Sequence, residues 1–116
     1  MQESRRQKRV SNVIREELGR LLIESIQDVT SSLITITRVS MSKDLKAAYI
    51  YLSILGGSSK EDILELINSR KGFFRKVIAS KTKLKYNPML FFSLDDRYDI
   101  EKKIDEVIKK LKNDEK

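Results

Sequence analysis

The chain contains no cysteine and no histidine, and it has a single proline. Without cysteine there is neither a disulfide framework nor thiolate chemistry, a composition that suits a reducing cytosol. Without histidine the most frequent general base is missing, and the two absences together remove the usual zinc sites. Carboxylates remain as metal ligands, but Asp95, Asp96 and Asp99 read as cap and first-turn anions of a last helix, suited to its dipole. Gly56-Gly57 lacks the Lys-Ser/Thr that completes a phosphate-cradling loop, and no serine sits in a Gly-x-Ser-x-Gly elbow. No apolar stretch approaches the roughly 20 residues of a membrane-spanning helix, and the basic start Gln2 to Arg9 leads into no apolar signal core. These absences predict a soluble, cytoplasmic protein that is not an enzyme, has no metal or other cofactor, and takes no small-molecule substrate.

What is present is charge, unevenly placed. The chain has 116 residues, 40% hydrophobic and 35% charged, which fits one globular domain able to bury a core. The formal net charge is +7, from 24 Lys and Arg against 17 Asp and Glu. Seven of the bases (Arg70, Lys71, Arg75, Lys76, Lys81, Lys83 and Lys85) lie between Ser69 and Leu94, a stretch with no acid. The other 17 bases balance the 17 acids, so the whole net charge sits in one segment. A concentrated positive field recruits polyanions, of which nucleic acid is the commonest, although a merely solvated basic face has the same composition.

Val10, Val13, Ile14, Leu18, Leu21, Leu22 and Ile26 recur at three- and four-residue steps, predicting an amphipathic helix over 4–27. Leu33 to Met41 reads as a strand with Ile34 and Ile36 on one face. Ser42-Lys43-Asp44-Leu45 has turn chemistry. Ala48, Ile50, Leu52 and Ile54 then alternate with Ala47, Tyr49, Tyr51 and Ser53, completing a hairpin. Gly56-Gly57 breaks the strand, and Ser58-Ser59-Lys60-Glu61 has capping-box spacing for a second helix. The stripe Ile63, Leu64, Leu66 and Ile67 resumes at Phe73, Phe74, Val77 and Ile78, so two short helices meet at a kink over Ser69 to Gly72. Leu84 to Leu94 reads as a third strand in which Pro88 favours an edge or a start. A last helix carries Ile100, Ile104, Val107, Ile108 and Leu111, and Asn113 to Lys116 should fray. The fold class is α+β: a single domain over 1–112 and a frayed tail over 113–116, with helices on one face of a three-stranded sheet.

The kink is the most informative site. A helix starting beside a glycine offers backbone amides, and its dipole favours phosphate there. Arg70, Lys71, Gly72, Arg75 and Lys76 form the centre of a candidate nucleic-acid-binding track, which the resemblance given below makes a candidate RNA-binding one. Lys81, Lys83 and Lys85 extend it if their stretch is extended. Arg5, Arg6, Lys8 and Arg9 offer a second contact. The plain alternative for Gly72 is a C-cap glycine among solvated bases. Phe73, Phe74, Phe91, Phe92 and Tyr86 are assigned to core packing rather than base stacking, and Tyr49 and Tyr51 are expected to be half exposed. Recognition should therefore lean on phosphate and shape.

Four blocks in register carry a family resemblance. They are Arg9-Val10 to Leu22, Ile36-Thr37-Arg38-Val39-Ser40-Met41-Ser42-Lys43-Asp44-Leu45-Lys46-Ala47-Ala48, Gly72-Phe73-Phe74-Arg75, and Leu84-Lys85-Tyr86-Asn87-Pro88-Met89-Leu90-Phe91-Phe92 ending at Asp95. Together they resemble the ribosome-binding factor A family over nearly the whole chain. The resemblance implies a KH-like fold of the second type with a helix–kink–helix element. It also implies binding to the small ribosomal subunit and its ribosomal RNA, help with late maturation and 5′-end processing, and support of growth in the cold, without catalysis. In that family the kink usually reads Ala-x-Gly, whereas this chain has Arg70-Lys71-Gly72. Arg70 then either points outward to phosphate or alters the kink. A monomer is expected. The rival readings are an adaptor that binds an acidic protein partner through the same face, and a membrane-surface protein using its basic first helix.

Overall fold

The computed structural model describes residues 3–27, 30–57 and 59–95. The expected last helix and tail lie outside the described residues, as does Ser58. The elements run α1 (Arg5–Ser25), β1 (Leu33–Met41), β2 (Ala47–Leu55), α2 (Lys60–Ser69), α3 (Lys71–Lys81) and β3 (Met89–Leu94).

Helix α1 begins with a reciprocal cap: the Gln7 amide donates to Ser4 Oγ at 3.1 Å, and the Ser4 amide donates to Gln7 Oε1 at 2.8 Å. Two further bonds fix this helix start to the end of β1. Gln7 Nε2 donates to the Met41 carbonyl at 3.0 Å, and the Met41 amide donates to Glu3 Oε1 at 2.8 Å. The predicted stripe is the buried face, with Ile14, Leu18, Leu21, Leu22 and Ile26 in the core.

Strands β1 and β2 form the expected antiparallel hairpin. Its turn is held by Asp44, whose Oδ1 accepts from Ser42 Oγ at 2.7 Å and from the Lys46 amide at 3.1 Å. Leu45 adopts φ 63° there and is buried, so the conformational cost of a left-handed leucine is offset by its apolar burial. A bulge between Ile36 and Arg38 changes which β1 positions face the core. Ile34 and Ile36 pair with Ile54 and Leu52 on the core face, whereas beyond the bulge Val39 and Met41 pair there with Ile50 and Ala48. The break after β2 requires glycine: Gly57 has φ +65°, and a Cβ would lie 2.7 Å from the Ser32 amide nitrogen.

Strand β3 pairs in parallel with β2, giving the order β1-β2-β3 with β2 central. A parallel pair needs a crossover, and the α2–α3 unit supplies it. All three helices pack on the sheet face formed by Ala48, Ile50, Leu52, Ile54, Leu90 and Phe92, all of them buried. Phe74 is fully buried and meets Phe92 edge-on, with ring centroids 6.2 Å apart.

Four details differ from expectation. The third strand begins at Met89 rather than Leu84, because Pro88 has no amide and the first bond to the hairpin runs from the Met89 amide to the Lys46 carbonyl at 2.8 Å. The cap of α2 is Ser59, which makes no side-chain bond to the helix backbone; its hydroxyl donates instead to Glu61 Oε2 at 2.9 Å. The break between α2 and α3 falls at Arg70 (φ −105°, ψ 6°), inside the expected kink over Ser69 to Gly72, but Gly72 does not make it: it is an exposed residue of α3 whose Cβ would meet nothing. Finally, Phe74 and Phe92 are core residues, but Phe73, Phe91 and Tyr86 are 54%, 46% and 40% exposed. Their period put them beside apolar stripes without saying which edge was covered.

Candidate nucleic-acid interface

The α2–α3 junction turns the chain so that α3 starts at the surface. Its first turn carries no acid, and Lys71 and Gly72 are exposed there. The acids Glu61 and Asp62 lie at the other end of α2 from the junction, in its first turn. The opening of α3 therefore combines a positive helix end, amides not covered by a side chain at Gly72, and cations. A shallow hollow of about 460 Å³ lies beside it, lined by Gly72, Phe73, Arg75, Lys76 and Asn87.

The structure sorts the predicted bases into two kinds. Arg70 is half-buried, and its guanidinium donates to the carbonyl of Ser25, the last residue of α1. It ties the junction to α1 and neutralises the negative end of that helix. The Arg70 side chain thus turns inward toward α1 rather than outward. Arg75 is likewise half-buried: Nε donates to the Pro88 carbonyl and a terminal nitrogen to the Asn87 carbonyl, each at 3.0 Å. It fixes the approach to β3. Lys71 and Lys76, by contrast, are exposed, as are Lys81 at the end of α3 and Lys83 and Lys85 beyond it. Lys83 and Lys85 flank the half-buried Leu84 in a stretch that forms no ladder. Among the described residues no carboxylate is paired with any of these bases; the surface ion pair, Arg20–Glu17 at 3.7 Å, is elsewhere.

Arg5, Arg6, Lys8 and Arg9 are exposed on the opening turns of α1, which also has no first-turn acid. They form a separate cluster on a different helix. Two residues escaped the sequence reading. Lys46, from the hairpin turn, and Lys85 place their ammonium groups 6.0 and 5.5 Å from the Tyr86 ring centroid, so an exposed aromatic ring has two cations beside it. Asn87 lines the hollow beside Lys76, and the Asn-Pro pair is a turn signal that foreshadowed its exposure. Among the described residues no group of three or more acids could hold a metal, and no helix is long and apolar enough to cross a membrane. Among the described residues the arrangement offers charge, backbone donors and two exposed rings, Phe73 and Tyr86, with no nucleophile–base pair.

A family model described as ribosome-binding factor A matches residues 6–108. The chain belongs to the ribosome-binding factor A family. A relative of that name from Dictyoglomus thermophilum is 38% identical over 109 residues, covering 92% of this chain and 88% of the relative. One from Thermodesulfovibrio yellowstonii is 31% identical over 112 residues, covering 97% and 95%. Among solved structures, the solution structure of a Thermotoga maritima protein described as a ribosome binding factor A superposes with a TM-score of 0.62 at 31% identity, over 80% of this chain and 90% of the other. The crystal structure of ribosome-binding factor A from Thermus thermophilus superposes at 0.67 over 76% and 93%; at 16% identity it speaks for the fold alone.

Proposed function

We propose that this protein is a non-catalytic ribosome assembly factor that binds the small ribosomal subunit through its ribosomal RNA. It assists late maturation, including 5′-end processing of that RNA, and supports growth in the cold. The observation that carries the reading is the acid-free opening of α3, where exposed Lys71 and Lys76 flank Gly72 beside an open hollow, in a chain of this family. Phosphates would be held by Lys71 and Lys76, with Lys81, Lys83 and Lys85 continuing the track and Lys46 joining it near Tyr86. Arg70 and Arg75 hold the geometry, and the α1 cluster makes a second contact. Bound at an unfinished RNA junction, a rigid domain favours one RNA arrangement by differential affinity, with no chemistry of its own.

The test is co-sedimentation of the purified chain with small and large ribosomal subunits across a salt series. The expected result is selective retention on the small subunit, with log affinity falling by roughly 0.7–0.9 per log salt for each phosphate neutralised. Equal retention on both subunits would contradict the reading and leave a generic polyanion binder. Retention on neither, with capture of an acidic protein, would favour an adaptor.

A further inference from the structure

Lys85, Tyr86 and Asn87 are exposed and stand between two anchored residues. Leu84 packs against the core, and Pro88 is fully buried. Arg75 holds the far end of this turn through the Asn87 and Pro88 carbonyls, each at 3.0 Å. The Met89 amide then ties the chain to the Lys46 carbonyl at 2.8 Å. The turn is therefore fixed at both ends, and a side chain standing on it is presented at little ordering cost.

The side chain so presented is an aromatic ring. Tyr86 is left 40% exposed, although its apolar body gains by burial. Among the described residues the other exposed rings are engaged with a second ring. Tyr49 stacks on Phe91 with centroids 5.5 Å apart, and Phe73 leans on Phe74 at 6.1 Å. Tyr86 has no aromatic neighbour there; the Lys85 and Lys46 ammonium groups lie beside it instead, 5.5 and 6.0 Å from its centroid. Among the described residues neither ammonium is paired with a carboxylate. Asp44, in the same hairpin turn as Lys46, accepts from the Ser42 hydroxyl and the Lys46 amide.

Two unneutralised cations beside an open ring suit a ligand that is both flat and anionic. A nucleotide within a strand is such a ligand, because its base has a π face and phosphates flank it on both sides. The base must be unpaired, since the faces of a base in a duplex are covered by its neighbours in the stack. An acidic peptide would engage the lysines and leave the ring unused. The ring also adjoins the phosphate track: Asn87, the next residue, lines the hollow beside Lys76.

We propose that Tyr86 is a stacking site for one unpaired nucleobase of a single-stranded RNA segment, with Lys46 and Lys85 on the phosphates to either side of it. The inference rests on the RNA-binding reading and deepens it: the domain grips a loop, a bulge or a strand end rather than a continuous duplex.

The test uses the full chain with Tyr86→Trp, which places the only tryptophan of the chain on this turn. A short oligoadenylate is expected to quench its emission strongly at low salt. An abasic strand of the same length and charge, and a blunt RNA duplex, are expected to quench it little. In anisotropy titrations of the labelled oligoadenylate, Tyr86→Leu should weaken binding about tenfold, whereas Tyr86→Phe, which keeps the ring, should change it by less than about twofold. Neither should alter the salt slope, because no phosphate contact is lost; Lys46→Gln with Lys85→Gln should lower it. Circular dichroism checks that each variant is folded. Oligoadenylate that binds with its full salt slope, leaves the tryptophan unquenched and holds Tyr86→Leu as tightly as the parent overturns the proposal and leaves the RNA-binding reading standing. Failure to bind any of the RNA probes overturns both. Quenching by oligoglutamate as strong as by oligoadenylate also overturns the proposal, since the ring would then report charge rather than a base.

Discussion

Replacing Arg75 with methionine keeps the aliphatic stem and removes only the guanidinium. Two bonds are lost, to the carbonyls of Pro88 and Asn87, each at 3.0 Å. Hydrogen bonds from a charged donor are worth roughly 1.5–3 kcal/mol when shielded. The Pro88 bond is partly buried, whereas the Asn87 bond is exposed and counts for much less. The expected loss is therefore about 2 kcal/mol, which lowers the urea midpoint by about 1–2 M at the slopes usual for a small domain. Lys71→Gln and Lys76→Gln touch no such bond and should change stability by less than about 0.5 kcal/mol. Binding should show the reverse order: the paired lysine variant lowers the salt slope by roughly 0.7–0.9 per phosphate contact removed, whereas Arg75→Met, measured where it is fully folded, leaves most of that slope. Urea titration and salt-dependent RNA binding of Arg75→Met, the two single lysine variants and their pair decide the matter. An Arg75→Met protein as stable as the parent, with the salt slope lost, would refute the division into holding and contacting bases.

Three further outcomes follow from local geometry. Gly57→Ala puts a Cβ 2.7 Å from the Ser32 amide nitrogen at a positive φ, and should cost about 2–3 kcal/mol by chemical denaturation. Gly72→Ala meets nothing within 4 Å on a helical backbone, so it should stabilise by about 0.5–1 kcal/mol; any RNA-binding loss would then report close backbone approach rather than a broken kink. Asp44 is held below its ordinary value of 3.8, first by the Ser42 hydroxyl and then by the Lys46 amide. Its contribution to stability is full above that value and is lost as pH falls through the lower folded value. Asp44→Asn should therefore flatten the acid limb of a pH–stability curve below about pH 4.

Much of the architecture was legible because it rests on period. The three-and-four spacing from Val10 to Ile26 and the two-residue alternation from Ala47 to Ile54 each determine which side chains must share a face. The bulge at Thr37 was not legible: Ile34 and Ile36 mark the core face at first, and nothing local announces that Val39 and Met41 take over. The parallel pairing of β3 was equally hidden, since a strand's sequence does not name its neighbour. In the candidate site the basic segment was readable from charge alone, but the roles within it were not. Arg70 and Arg75 look like their lysine neighbours until their long forked side chains are seen to find carbonyls on α1 and before β3. Those carbonyls lie 45 and 13 residues away in sequence. Lys46 was missed for the complementary reason: it joins Tyr86 only because β2 and β3 pair.

The central claim is that the exposed lysines around α3 bring this domain to ribosomal RNA. It is tested most directly by co-sedimentation with small ribosomal subunits of a full-length variant in which Lys71, Lys76, Lys83 and Lys85 are each changed to Glu, after its fold is verified. The account predicts a folded protein that no longer sediments with the subunit at salt concentrations where the parent is retained. Retention equal to that of the parent, with the same salt dependence, would contradict it and move the contact to another surface.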